Sequence, residues 1–148
     1  MENIVSVSVL VSRRDDILFI KSIQANRMLK LTLPGGRLKE NENIEQCAIR
    51  EVKETAGIDV ILDKKLSGVM MRKNKQGNNL ITFTFFAEAV GSAETDKTVY
   101  LPYNNVEDYS DVSEFSRFII GELKKSSLSG LDRSEHRELG ERDYLVYF

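Results

Sequence analysis

With 148 residues, 41% of them hydrophobic and 30% charged, the chain has the size of one compact domain and is too apolar for disorder. A net charge of -2 excludes an overall positive field, so neither nucleic acid nor membrane is expected as a partner. One cysteine allows no internal disulfide and no zinc framework. Met1-Glu2-Asn3 lacks a basic leader, and no apolar run approaches roughly 18 residues. The expectation is a cytoplasmic chain, 1–148 forming a single domain with 126–148 as a C-terminal extension.

Across 4–11, Val5, Val7, Val9 and Val11 alternate with Ser6 and Ser8, the two-residue period of a half-buried strand. Arg13-Arg14-Asp15-Asp16 reads as a polar turn and 17–20 as the returning strand. Residues 22–30 read as a loop, and Leu31-Thr32-Leu33 as a short strand stopping at Pro34-Gly35-Gly36. A helix is predicted over 42–57, with Asn43 as its cap, Gln46 as capping-box partner and Gly57 as a left-handed terminator. Residues 60–71 and 80–90 read as strands joined by a hydrophilic segment, with Phe83, Phe85, Ala87 and Ala89 on one face of the second. A second helix is expected over 112–125, burying Phe115, Phe118, Ile119 and Leu123; 126–130 has linker character, and 143–148 suits a terminal strand. Strands before and after a central helix, with a second helix later, imply an α/β sandwich with a mixed sheet.

The first helix carries the chemistry. Glu51 and Glu54 stand three apart and project from neighbouring positions on one helical surface. Glu51 also borders the apolar stripe, where Cys47, Ala48, Val52 and Thr55 surround it and partly desolvate its carboxylate. Two close carboxylates repel each other. A divalent cation relieves both costs, and oxygen-rich sites of this kind suit Mg²⁺ or Mn²⁺. Arg50 faces away from the stripe, within reach of Glu54 at i+4 or of Glu42. The Pro34-Gly35-Gly36 turn permits close approach of main chain, because glycine lacks Cβ, and a carbonyl there could add an oxygen. A carboxylate-lined cation site beside a glycine turn suits phosphoanhydride hydrolysis, which needs neutralised phosphate charge and a source of hydroxide.

This pattern resembles the Nudix box: Gly, five residues, Glu, seven residues, then Arg-Glu-apolar-x-Glu-Glu-x-Gly-apolar. The chain reads Gly36, Glu42 and Arg50-Glu51-Val52-Lys53-Glu54-Thr55-Ala56-Gly57-Ile58, with Thr55 in place of one glutamate. Pro34-Gly35-Gly36 ahead of the box and Tyr100-Leu101-Pro102-Tyr103 after it are similar to family features. The resemblance implies a Nudix-like α/β/α sandwich with a mixed central β-sheet. It also implies a metal-dependent hydrolase that cleaves a pyrophosphate bond in a small-molecule nucleotide or nucleotide-sugar, a nucleoside diphosphate linked to another group. Carried over by position, Glu51 and Glu54 would be catalytic groups and metal ligands, the Gly36 carbonyl a further ligand, and Arg50 an orienting partner to Glu42. The general base would be a box glutamate, Glu51 first, or a carboxylate of a later loop, Glu94 or Asp96. Arg37 and Gly35 are expected at the substrate phosphates.

Thr55 removes one negative charge from an i,i+4 pair with Glu51 and leaves a neutral oxygen. Three consequences stay open: an enzyme that works with fewer metals, another carboxylate in substitution, or a catalytically weakened module that binds or senses a nucleotide without cleaving it. Asn41, where the family commonly has glycine, tolerates positive φ. Glu40 and Glu45 read as surface and first-turn charges. Arg13, Arg14 and Lys21 read as hairpin charges, and Arg72, Lys73 and Lys75 as a solvated basic tip. Cys47 reads as core, Tyr100 and Tyr103 as packing before base stacking, and His136 as a lone histidine without metal partners. Substrate choice is expected from 22–30 and 91–111. The apolar end Tyr144-Leu145-Val146-Tyr147-Phe148 could pair with a second subunit in a homodimer or cover its own core.

Overall fold

The computed structural model describes residues 1–91 and 95–125, and the backbone of 133–134 and 142–147. In chain order the elements are β1 (Asn3–Arg13), β2 (Asp16–Ile23), β3 (Leu29–Thr32), β4 (Gly35–Arg37), α1 (Ile44–Ala56), β5 (Asp59–Lys73) and β6 (Asn79–Val90). Then come β7 (Thr98–Pro102), a 3₁₀ turn (Tyr103–Asp108), α2 (Glu114–Lys125), β8 (Arg133–Ser134) and β9 (Arg142–Tyr147). The strands form one mixed sheet in the order β3-β2-β1-β6-β5-β9-β8, with β4 on β1 and β7 on β2. β1 and β6 run parallel while the other pairs are antiparallel. This is the expected α/β sandwich with a mixed sheet.

The half-buried reading of β1 needs correction. Val7, Val9 and Val11 pack beneath α1, but Leu10 sits in the opposite cluster and Ser8 is buried as well. A central strand covered on both faces has no solvent side, so alternation there sorts side chains between two cores. Ser6 remains polar by bonding Thr82, with 3.0 Å between the hydroxyl oxygens across the parallel pair. Phe83, Phe85, Ala87 and Ala89 do share one face, the α1 side.

Other boundaries move for identifiable reasons. The expected loop 22–30 is mostly hairpin, because Ser22 pairs with Lys30 and Ile23 with Leu29, leaving a short connection. Gly35–Arg37 is a strand as well as a turn: the Pro34 carbonyl accepts the Val9 N–H at 2.8 Å, and the Leu38 N–H reaches the Val5 carbonyl at 2.9 Å. β7 and the 3₁₀ turn lie inside 91–111, the segment from which substrate choice is expected. α2 begins at Glu114, after Ser113, whose hydroxyl accepts the Ser116 N–H at 3.2 Å. Phe115 and Phe118 pack at the edge of the cluster beneath α2, and Ile119 and Leu123 lie inside it, on the side expected. β9 pairs with β5 of its own sheet. The linker expected at 126–130 lies outside the described residues.

Candidate functional site

α1 starts and stops where its side chains require. Asn43 Oδ1 accepts the Gln46 N–H at 2.8 Å, and Gln46 Oε1 accepts the Asn43 N–H at 2.9 Å, closing the predicted capping box. Gly57 has φ 70° and gives its N–H to the Lys53 carbonyl at 2.9 Å. Asn41 adopts φ 64°, the left-handed conformation it was expected to tolerate. The face toward the sheet is built from Cys47, Ala48, Val52 and Ala56. Such small side chains let the helix lie near β4.

That closeness places Glu51 against Gly36. A Cβ built on Gly36 would fall among the carboxyl atoms of Glu51, so the glycine leaves this carboxyl the position it occupies as well as serving the turn. A Cβ on Gly35 would meet the Val7 carbonyl oxygen. In the β1–β4 register Gly36 faces Val7, Gly35 faces Ser8 and Arg37 faces Ser6. The Gly36 carbonyl oxygen lies 3.9 Å from the Cys47 sulfur.

Arg50 ties the helix to this strand. Its Nε donates to Glu42 Oε2 at 2.9 Å and its Nη2 to Glu42 Oε1 at 2.7 Å, a bidentate pair. Nη2 also donates to the Arg37 carbonyl at 3.1 Å. Nη1 donates to Glu51 Oε1 at 2.9 Å and to Glu54 Oε2 at 3.1 Å. The two reaches open in the sequence, to Glu42 and to Glu54, are both made. The Arg50 guanidinium, assisted by the Lys39 backbone N–H at 2.8 Å, holds the Glu42 carboxyl down to about 2 from its ordinary 4.5. The same bonds push the Arg50 proton affinity up. Burial, with Glu42 adding to it, pushes the Cys47 thiol up to about 11, so Cys47 is a protonated packing group as expected.

Glu51 and Glu54 differ in their surroundings. The Glu51 side chain is 14% exposed and that of Glu54 53%. Lys39, which the sequence reading missed, lies beside Glu54 with Nζ 3.9 Å from Oε1. Thr55 turns its hydroxyl onto its own helix, donating to the Glu51 carbonyl at 2.6 Å. Among the described residues, no group of three or more His, Cys, Asp or Glu side chains is arranged to hold a metal ion. The acidic groups that do come together are the Glu51 and Glu54 carboxylates, which share Arg50 Nη1. Such an open set suits Mg²⁺, which keeps several waters and binds through one or two carboxylates plus substrate phosphates.

Not every expected residue joins the cluster. The β1–β4 register sets Arg37 on the strand face opposite Gly36, so it contributes its carbonyl rather than its exposed side chain. Asp96 sits exposed in the turn before β7, and Glu94 and His136 lie outside the described residues. Arg13 covers the Tyr100 ring at 3.9 Å, and Tyr103 meets Phe86 edge-on at 6.4 Å, so both tyrosines are packing groups. Arg72 is no solvated tip: it belongs to β5 and lies 4.9 Å from the centre of the Phe115 ring. Two cavities, of about 360 and 230 Å³, share Ser12 and Phe86; no residue of 36–58 lines them.

An acidic helix face held to a glycine strand of a mixed sheet between two helices places the chain in the α/β/α sandwich class. Comparison with known proteins supplies the family. The NUDIX domain profile matches residues 2–139, and the chain belongs to this family. It is a Nudix-type hydrolase; the family cleaves pyrophosphate bonds and generally depends on divalent metal. The fold is similar to a NUDIX hydrolase from Nitrosomonas europaea, with TM-score 0.68 and 19% identity over 84% of this chain and 89% of that one. It is also similar to a MutT NUDIX hydrolase from Burkholderia pseudomallei, with TM-score 0.66 and 19% identity over 82% and 98% of the respective chains. The ORF135 protein of E. coli shares it too, with TM-score 0.67 and 15% identity over 87% and 96%. No curated protein matches the sequence. Among the described residues no helix is long and apolar enough to cross a membrane.

Proposed function

We propose that the chain hydrolyses the pyrophosphate bond of a nucleoside diphosphate linked to another group, with Mg²⁺ or Mn²⁺ held by Glu51, Glu54 and the Gly36 carbonyl. The observation that carries this reading is the fit of the Glu51 carboxyl into the space a side chain at Gly36 would fill. When bound, the ion supplies positive charge against the bridging phosphates and acidifies water. In the metal-free chain Glu51 Oε1 accepts from Arg50, while among the described residues Oε2 carries no hydrogen bond and would accept the proton of the attacking water. Before the ion enters, Arg50, held by Glu42, fixes the direction of that carboxyl. The water oxygen bonds to phosphorus, the bridging P–O bond breaks, and the leaving phosphate departs with the bridging oxygen. In this reading 126–148 extends the same domain.

A second reading has its own support. Thr55 is neutral and spends its hydroxyl on the Glu51 carbonyl, and among the described residues no third carboxylate joins Glu51 and Glu54 in a metal-holding group, so a nucleotide-binding module without turnover is the alternative. One assay separates them. Nucleoside triphosphates, ADP-ribose, dinucleoside polyphosphates and NADH are incubated with the protein and Mg²⁺ or Mn²⁺, and phosphate or nucleotide release is measured. Turnover abolished by EDTA and lowered about a hundredfold or more in Glu51→Gln supports the enzyme. Thermal stabilisation by a nucleotide without turnover supports the binding module.

A further inference from the structure

The proposed reaction needs Glu51 and Glu54 open to a cation, yet one cation already joins them. A guanidinium has five N–H donors, and Arg50 spends all five on acceptors of this site. Three lie on one side, two to Glu42 and one to the Arg37 carbonyl, with Nη2 also 3.6 Å from the Cys47 sulfur. The remaining two, both on Nη1, bridge Glu51 and Glu54 at 2.9 and 3.1 Å. We propose that Arg50 is the resident cation of the metal-free protein and that its Nη1 holds the seat between Glu51 and Glu54. Nη1 yields that seat on metal loading, while Glu42 retains Nε and Nη2. Glu42 thereby sets metal affinity without touching the ion. The inference rests on the reading of Glu51 and Glu54 as the metal seat.

The division of donors decides which end of Arg50 moves. The Glu42 end is bidentate, and Glu42 is itself pinned by the Lys39 backbone N–H at 2.8 Å. The Nη1 end has one bond to each of two separate side chains, and Glu54 is the more exposed of them at 53%. Charge sets the stoichiometry. Glu42, Glu51 and Glu54 carry three negative charges against Arg50 and Lys39, the latter 3.9 Å from Glu54, an excess that suits one divalent ion and no second. Thr55 adds no charge, because its hydroxyl is neutral and turned onto the helix backbone.

The test is Mn²⁺ titration of the substrate-free protein, read by the electron paramagnetic resonance of free Mn²⁺. One ion per chain is expected. Glu42→Gln releases the anchored edge of Arg50 to compete for Glu51 and Glu54, so Mn²⁺ binding should weaken about tenfold. In an Arg50→Gln background, where Mn²⁺ should bind more tightly, the same Glu42 substitution should change affinity less than about twofold. If Arg50→Gln does not fold, Arg50→Lys serves as the background, since one ammonium cannot hold Glu42 bidentately and bridge the pair. Unchanged affinity in Glu42→Gln, an equal loss in both backgrounds, or weaker binding in the Arg50 variants would overturn the proposal. Wild-type protein that takes up no Mn²⁺ would overturn the metal seat itself, and the inference with it.

Discussion

The two helices present different side chains to the sheet. Beneath α1, Cys47, Ala48, Val52 and Ala56 meet Val7, Val9 and Val11. Beneath α2, Ile119, Ile120 and Leu123 meet Leu10, Phe19 and Met70. Bulky aliphatic and aromatic groups bury the larger apolar area per residue, so the α2 face contributes more stability for each position. Small groups contribute less and instead shorten the distance from helix to sheet, which is what lets the Glu51 carboxyl occupy the space beside Gly36. One face holds the molecule together, and the other aims two carboxylates.

The comparison breaks most visibly at the α2 face. Ile119 is fully buried, and Ile119→Ala should cost about 3 kcal/mol through lost burial and a cavity that closes incompletely. For a chain of this size that is a fall in Tm on the order of 10 °C by calorimetry. Turnover per folded molecule should hold within about twofold, as for a distant independent site. A loss of kcat/KM as large as the stability loss would show that the two faces are not separable.

Gly36→Ala sharpens the comparison from the other side. The new methyl group would displace the Glu51 carboxyl, and a shift near 1 Å should lower kcat/KM about a hundredfold. The displaced group is the end of a flexible side chain, so the cost in stability should stay near 1 kcal/mol. Full activity in this variant would mean that Glu51 does not need its present position.

The small-residue face was the more legible of the two. Its elements are local: a cap at Asn43, a terminator at Gly57 and carboxylates at fixed helical spacing declare themselves over a few residues. The contacts that complete the site are not local. Lys39 reaches Glu54 across a turn, and the Arg37 carbonyl receives Arg50 because β4 pairs with β1. Arg37 follows the glycines in sequence, but the direction of its side chain depends on that pairing, which by strand alternation sets it on the face opposite Gly36. The double burial of β1 was hidden for the same reason, since its parallel partner β6 lies more than seventy residues along the chain. Thr55 was visible as a departure, while the turning of its hydroxyl onto Glu51 required the helix to be seen.

The smallest expected effect concerns how the aimed face responds to acid. Glu42 titrates at about 2 in the folded chain, held below its ordinary 4.5 by the Arg50 guanidinium first and the Lys39 backbone N–H second. A depressed carboxyl favours the folded state wherever it is ionised. Its contribution is therefore complete above about pH 4.5 and is lost progressively as pH falls toward 2. Two measurements follow from this sign. The Glu42 side-chain carboxyl resonance should titrate near 2 by NMR, and the stability gap between wild type and Glu42→Gln should narrow on acidification through that window. A gap that stays constant from pH 5 to pH 2 would mean that Arg50 holds Glu42 no more firmly in the folded state than in the unfolded one. In that case the fork would be free to leave Glu42, and the helix-to-strand tie would have to come from the small-residue packing alone.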